Sequence, residues 1–206
     1  MILDVNATRM ELLKLKRRLV IATKGHKLLK DKQDELMRQF LALIDEIRGL
    51  RSNVENRLMR AFGSFLMARA VMDRENLEAA IMFPKQQLSL AVDTKPVMNL
   101  RVPQFQLSSE GEVYSYGFLN TSAELDSSLK FYSELLPEMI KLAETERTVE
   151  LLAEEIEKTR RRVNALEYIL IPDLKDTIKY ITMRLDEMER SNLTRLMKVK
   201  EMVGSR

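Results

Sequence analysis

The chain has 206 residues, of which 32% are charged and 6% aromatic, with only six glycines and five prolines. So few breakers beside abundant Leu, Glu, Lys and Arg mark long helices and not an ordinary globule, and 45% hydrophobic residues are enough for a continuous apolar seam, which excludes wholesale disorder. Basic and acidic residues, 34 against 31, leave +3 with the signs interspersed, against a nucleic-acid binder, and the absence of cysteine excludes disulfides and thiolate metal sites.

The N-terminal stretch MILDVNATRM has neither the basic segment nor the apolar run of a signal peptide. No stretch approaches the roughly 20 apolar residues that span a bilayer. A soluble, cytoplasmic protein is expected, one that can still sit peripherally on a membrane machine.

The first 83 residues contain no proline. Alternating steps of three and four run from Leu12 through Leu15, Leu19, Ala22, His26, Leu29, Gln33, Leu36, Phe40, Leu43, Ile47, Leu50, Val54 and Arg57 to Ala61. All but His26, Gln33 and Arg57 are apolar, sustained over seven heptads, which argues coiled coil. The pattern predicts one helix from about Asn6 to Ile81, roughly 110 Å long at about 1.5 Å per residue, within a first unit of residues 1–82.

Residues 83–121 differ, holding Pro84, Pro96, Pro103, Gly111 and Gly117. Val97–Val102 and Glu112–Phe118 alternate apolar and polar residues at period two. Separated by the turn-forming Ser108–Gly111, they predict a short β-hairpin head. A two-stranded hairpin is marginal alone, so it should lean on the helices. Tyr114, Tyr116 and Phe118 are its candidate contact residues.

The second helix, in residues 122–206, repeats the seam: Leu142, Thr145, Val149, Leu152, Ile156, Thr159, Val163, Leu166 and Leu170, then Leu174, Ile178, Ile181, Leu185 and Met188. Successive steps of four across 166, 170, 174 and 178 form a stutter, with Pro172 inside it removing a backbone donor. A local kink or loosened supercoil is expected over 168–174 and not a helix end, because the stripe continues on both sides. Pro137 is read the same way. The fold class that follows is all-α: a long antiparallel two-helix coiled coil with a short β-hairpin head in the middle of the chain.

Catalytic chemistry finds little support. His26, flanked by Gly25, Lys24, Lys27 and Lys30, is a candidate ligand or titrating group, but a lone polar seam residue more often fixes register. Arg160, Arg161 and Arg162 lie about 100° apart around a helix and make no single phosphate-gripping patch, while Glu154, Glu155 and Glu157 are near enough to pair with them. The carboxylates have no dry pocket in which to part their pKa values. No phosphate loop, metal-ligand cluster or nucleophile motif is present, so neither catalytic residues nor a cofactor nor a metal is expected.

Three segments carry a family likeness. Thr23–Leu36 (TKGHKLLKDKQDEL) resembles the signature of the D subunit of the V-type (A/V-type) rotary ATPases, and Arg161–Leu174 (RRVNALEYILIPDL) resembles the matching part of its second helix. Leu185–Arg190 and Arg195–Lys200 are similar to that family's C-terminal stretch. Arg195-Leu-Met-Lys198 departs from the plainer Arg-Leu-Lys pattern, and the chain stops soon after Lys200, which points to a bacterial or archaeal source. The resemblance implies a non-catalytic central rotor shaft coupling ATP hydrolysis or synthesis to proton or sodium transport. It implies a ring of A and B subunits around the end bearing the termini, the F subunit as a clasp, and the head seated in the C/d cap of the proteolipid ring. No nucleic acid and no direct membrane insertion are implied. Lys24, His26, Lys27, Lys30 and Arg160, Arg161 and Arg162 are the candidate partner contacts. The alternative from another class is a prefoldin-like coiled-coil chaperone or scaffold, whose tips expose apolar residues to clients.

Overall fold

The computed structural model describes residues 5–117, 119 and 121–204. In chain order it contains α1 (Arg9–Val71), α2 (Arg74–Met82), β1 (Gln87–Val97), β2 (Leu100–Glu110), α3 (Ala123–Ala165), a π-helical turn (Leu166–Leu170) and α4 (Ile171–Gly204). The chain divides into two units, Met1–Leu36 with Ile156–Arg206, and Met37–Glu155. The fold is the long antiparallel helix pair with a mid-chain hairpin that the periodicity predicts.

In the first unit α1 begins with a cap. Thr8 lies three residues before Glu11, and its Oγ1 accepts the Glu11 N–H at 3.3 Å, the Ser/Thr-x-x-Glu arrangement that satisfies an otherwise orphaned donor. The seam packs Leu15 and Ala22 of α1 against Leu174 and Ile181 of α4, with Leu12, Leu19, Ile178 and Leu185 around them. Burying a Leu or Ile side chain in this way contributes about 1.5–3 kcal/mol. Thr159 and Thr177 are also buried. The Thr177 hydroxyl is satisfied by donating to the Asp173 carbonyl at 2.7 Å, as a helical Thr can do without leaving the helix.

In the second unit Ala68, Leu77, Ala80 and Leu125 form the core, with Phe65, Met72, Tyr116 and Leu129 against it. Alanines let the backbones approach. Phe62 and Tyr132 meet edge to face, with centroids 6.0 Å apart. The first helix stops here earlier than the expected Ile81. Asp73 is extended, at φ −64° and ψ 144°, and its carbonyl accepts the Leu77 N–H at 3.1 Å as α2 restarts. Asp73 stands at the N-cap position of α2 with no side-chain cap bond, so it is its extended backbone that ends the first helix. The break lets α2 fold Leu77 and Ala80 onto Ala68.

The hairpin exists, but its strands are not Val97–Val102 and Glu112–Phe118. β1 and β2 pair from Gln87↔Glu110 to Val97↔Leu100, so the turn is Met98-Asn99, and Glu112–Gly117 form no strand. Met98 takes φ +53°, the positive first-loop φ that tight hairpins need and that Met rarely supplies. Pro96 and Pro103 sit within the strands; a two-stranded sheet has an outer edge on each strand, where a missing N–H is tolerated. Gly111 closes the hairpin base instead of its tip. Its φ is +96°, and a Cβ there would stand 2.4 Å from the Lys85 carbonyl oxygen.

Helical backbone is continuous across both interior prolines. Pro137 lies inside α3. At the stutter the helix widens into the π-turn, where the Ile171 N–H bonds the Leu166 carbonyl, five residues back. A π-turn takes up one extra residue, and Pro172 follows at once. The ring of a helical proline clashes with the carbonyl four residues earlier, here Tyr168, and a widened turn relieves that contact.

Candidate partner-contact surfaces

The basic residues that stand out in the sequence all fall in the first unit. Lys24, Lys27 and Lys30 are exposed on α1, and Arg160, Arg161 and Arg162 are exposed on α3. Spacing by three keeps the lysines on one broad face. Adjacency spreads the arginines around α3, and only Arg161 turns to an internal partner, bonding Glu157 one helical turn earlier. Lys24, Lys27, Lys30, Arg160 and Arg162 make no ion pair with any described residue. The structure joins none of the lysines to the arginines. Each group presents its charge outward.

His26 is of a different kind. It is half-buried at its seam position, with Nε2 3.3 Å from Oε2 of Glu167 in the π-turn. The pair links the two helices across the seam in the manner of a register-fixing polar contact. A corresponding pair lies in the second unit, where the Arg57 guanidinium bonds the Glu138 carboxylate.

In the hairpin region Tyr116 is not a free contact residue. It packs on the core of the second unit, and its hydroxyl donates to Asp126 Oδ1 at 2.5 Å. Burial first, then the hydrogen bond to the Asp126 carboxylate and its charge, hold the phenol well above its ordinary pKa. Tyr114 stacks edge-on against it, 6.4 Å between centroids, and keeps an exposed flank. Phe118 lies outside the described residues. The Phe105 N–H donates to Glu144 Oε2 at 3.0 Å, tying β2 to α3.

The structure adds apolar surface that the periodicity does not single out. Leu88, Leu90 and Val92 of β1 are each exposed by half or more. Met10, Leu13, Val20 and Ile21 are exposed on α1, and on α4 every residue from Arg190 to Val203 is exposed. Arg9 at the start of α1 already pairs with Glu189, so Leu193, Leu196, Val199 and Val203 continue the apolar stripe where no described helix faces them. The signal is present in the sequence: apolar residues recur at helical spacing past Met188. No helix among the described residues is long and apolar enough to cross a membrane.

Against known proteins, residues 11–201 match the model of the family described as the ATP synthase D subunit. The D subunit of the V-type ATP synthase of Acetivibrio thermocellus is 57% identical over 206 residues, covering 98% of this chain and 93% of the relative. That of Clostridium botulinum strain Alaska E43 is 56% identical over 209 residues, covering 99% and 98%. That of Thermoanaerobacter sp. strain X514 is 54% identical over 203 residues, covering 98% and 97%.

Proposed function

The chain belongs to the ATP synthase D-subunit family, and we propose that it is the central-stalk rotor subunit of a V-type rotary ATPase. In this reading it passes torque between ATP hydrolysis or synthesis in a catalytic ring and ion translocation through a membrane ring, without catalysing either step. The observation that carries it is the match along nearly the whole chain, both helical seams included. A prefoldin-like chaperone is disfavoured by the same match.

The mechanism follows from asymmetry. A ring of three equivalent sites around a symmetric axle would see three equal environments. Here the two helices differ: the second carries the π-turn and Pro172 where the first runs on unbroken. Each ring site then meets a different surface, and differential contact shifts its conformational population. A difference of about 1.4 kcal/mol in contact energy changes such a population tenfold.

The ring is formed by the A and B subunits, with the F subunit as a clasp on the stalk and the C/d subunit as the cap of the proteolipid ring. Exposed, internally unpaired Lys24, Lys27, Lys30, Arg160 and Arg162, with Arg161, supply sparse polar contacts that hold without locking rotation. The hairpin with Tyr114 docks a neighbour or modulates turnover, and its deletion leaving assembly and turnover unchanged would reduce it to a connector. The protein is peripheral to the membrane, on the cytoplasmic side.

The test is a pull-down of the tagged chain against the ring and clasp subunits, with ATPase rates measured before and after. Assembly of one copy per ring with a changed hydrolysis rate supports the rotor. Failure of a folded, helical sample to bind the ring overturns it.

A further inference from the structure

The hairpin has an open backbone edge on β1. On the other strand the Phe105 N–H donates to Glu144 of α3, so that donor turns away from β1. Phe105 stands opposite Val92, and opposed residues of an antiparallel pair alternate between bonded and non-bonded. Leu88, Leu90, Val92 and Thr94 therefore point their own N–H and C=O groups outward, away from β2. Pro96 and Pro103 fall in the same class of pair, where a proline removes no donor from the ladder. Every residue of β1 from Gln87 to Pro96 is exposed, and no described residue bonds its outer edge.

Exposed edges are ordinarily guarded by charge, proline or a covering element. Asp93, Lys95 and Pro96 supply such guards toward the tip, but Gln87–Val92 (QLSLAV) has no charge, proline or glycine. Leu88, Leu90 and Val92, which aim backbone groups outward, also leave half or more of their side chains exposed. They share one face with Phe105 and Leu107, their cross-strand neighbours. An edge of this kind is completed by a further extended strand whose alternate side chains match it. The segment matches itself. Antiparallel pairing centred on Leu90 sets Leu90 against Leu90 and Leu88 against Val92, so each outward apolar residue meets another. On the opposite face Ser89 meets Ala91 and Gln87 meets Asp93. Centring on Ser89 instead sets Val92 against Gln86, and centring on Ala91 sets Leu88 against Thr94. Past Gln87 the pairing opposes Lys85 to Lys95, which ends it there.

We infer that β1 is a self-association edge, joining two copies of the chain through a two-fold β1–β1 pairing centred on Leu90. The same patch serves both copies, so the contact closes at two and makes one four-stranded sheet. The apolar face then runs from Phe105 and Leu107 of one copy to those of the other. A contact this short belongs with the weak, concentration-dependent ones. The inference does not depend on the rotor reading. In that reading one copy serves each ring, so the pairing belongs to the free chain and opens on assembly.

The full chain has no cysteine, so single cysteines report the register. In Leu90→Cys the two thiols stand on directly opposed residues, with Cα atoms about 5.5 Å apart, within the reach of a disulfide. In Ser89→Cys they are diagonal neighbours, about 7–8 Å apart, beyond that reach. Mild oxidation should cross-link Leu90→Cys at least about tenfold faster than Ser89→Cys. Sedimentation equilibrium of the parent should show a monomer–dimer equilibrium. Leu90→Lys opposes two like charges at the axis and should raise the dissociation constant at least about tenfold. Leu196→Lys, on the exposed stripe of α4, should leave it unchanged. Both lysine variants replace exposed side chains and should keep the helical circular dichroism of the parent. A parent that stays monomeric throughout overturns the pairing. So does a dimer broken by Leu196→Lys and not by Leu90→Lys, or equal cross-linking from positions 89 and 90.

Discussion

Ile181→Ala is the substitution whose cost the seam geometry defines most directly. Ile181 is fully buried in the cluster with Leu15, Ala22 and Leu174. The change removes three carbons, worth about 0.8 kcal/mol each by transfer, or ~2.4 kcal/mol. A cavity term adds to this, but a two-helix seam is open at its flanks and the neighbouring side chains can settle into the gap. A total of about 3 kcal/mol follows, inside the 2–5 kcal/mol span of Ile-to-Ala changes. With a urea m-value near 2 kcal/mol/M, the midpoint should fall by ~1.5 M. Leu196→Ala removes the same number of carbons from a side chain 65% exposed and should stay within about 0.5 kcal/mol of the parent. The assay is urea denaturation followed by helical circular dichroism, with both variants in the same buffer. If Ile181→Ala moved the midpoint no more than Leu196→Ala, the antiparallel seam of the first unit would be wrong as described.

Replacing Lys24, Lys27, Lys30, Arg160, Arg161 and Arg162 together by Ala should leave the stability within about 1 kcal/mol of the parent, since exposed charges contribute little. In the assembled ATPase the same variant should lose coupling between hydrolysis and ion transport; unchanged coupling would remove these residues from the proposed contact surface. Tyr116→Phe loses the hydroxyl donated to Asp126 and should cost about 1 kcal/mol near neutral pH. The phenol's pKa is raised in the folded state, so its contribution is complete below the unfolded pKa of ~10 and is lost as pH rises beyond it. The stability difference between parent and Tyr116→Phe should therefore shrink from pH 8 toward pH 11. A constant difference would mean that the hydroxyl is not held as the structure has it.

Periodicity makes the helix pair legible, because a buried stripe at steps of three and four has few other physical meanings. It also locates the stutter, since the steps from Leu166 to Ile178 are visible without coordinates. The form the stutter takes is not legible: a spread supercoil and a single π-turn satisfy the same spacing, and Pro172 tips the balance through its backbone. Asp73 is hidden by an apolar pattern that runs on through Leu77 and Ala80. The pattern is right that they are buried and silent on the fact that a second helix buries them. The hairpin is legible as alternation, but glycine and serine signal turns and so draw its turn to Ser108–Gly111. Met98-Asn99 carries a weaker signal, and Pro96 and Pro103 read as strand breakers in sequence although both strands are edges that tolerate them. For the surfaces, exposure of the basic residues is readable from their helical phase. The Tyr116 bond to Asp126 is not, because it depends on how the loop after Gly111 folds back.

The polar interruptions of the seam carry an argument of their own. An apolar heptad seam can slide by seven residues and bury much the same surface, so apolar contacts alone leave register weakly determined. In the second unit Arg57 and Asn53 both reach Glu138, and a slide of one heptad would separate all three. As an exposed pair Arg57–Glu138 is worth no more than about 1 kcal/mol, and leucines at 53 and 57 would recover part of that by burying apolar area. Asn53→Leu with Arg57→Leu should accordingly change the urea midpoint little while letting alternative registers compete. Spin labels at Glu46 and Lys141, whose side chains pair at 3.7 Å, should report one narrow distance in the parent. In the double variant the distribution should broaden or split, with a second population displaced by about 10 Å, one heptad of helical rise. A single unshifted distance would show that the apolar packing of Ala68, Leu77 and Leu125 fixes the register unaided, and that the polar pairs are incidental to it.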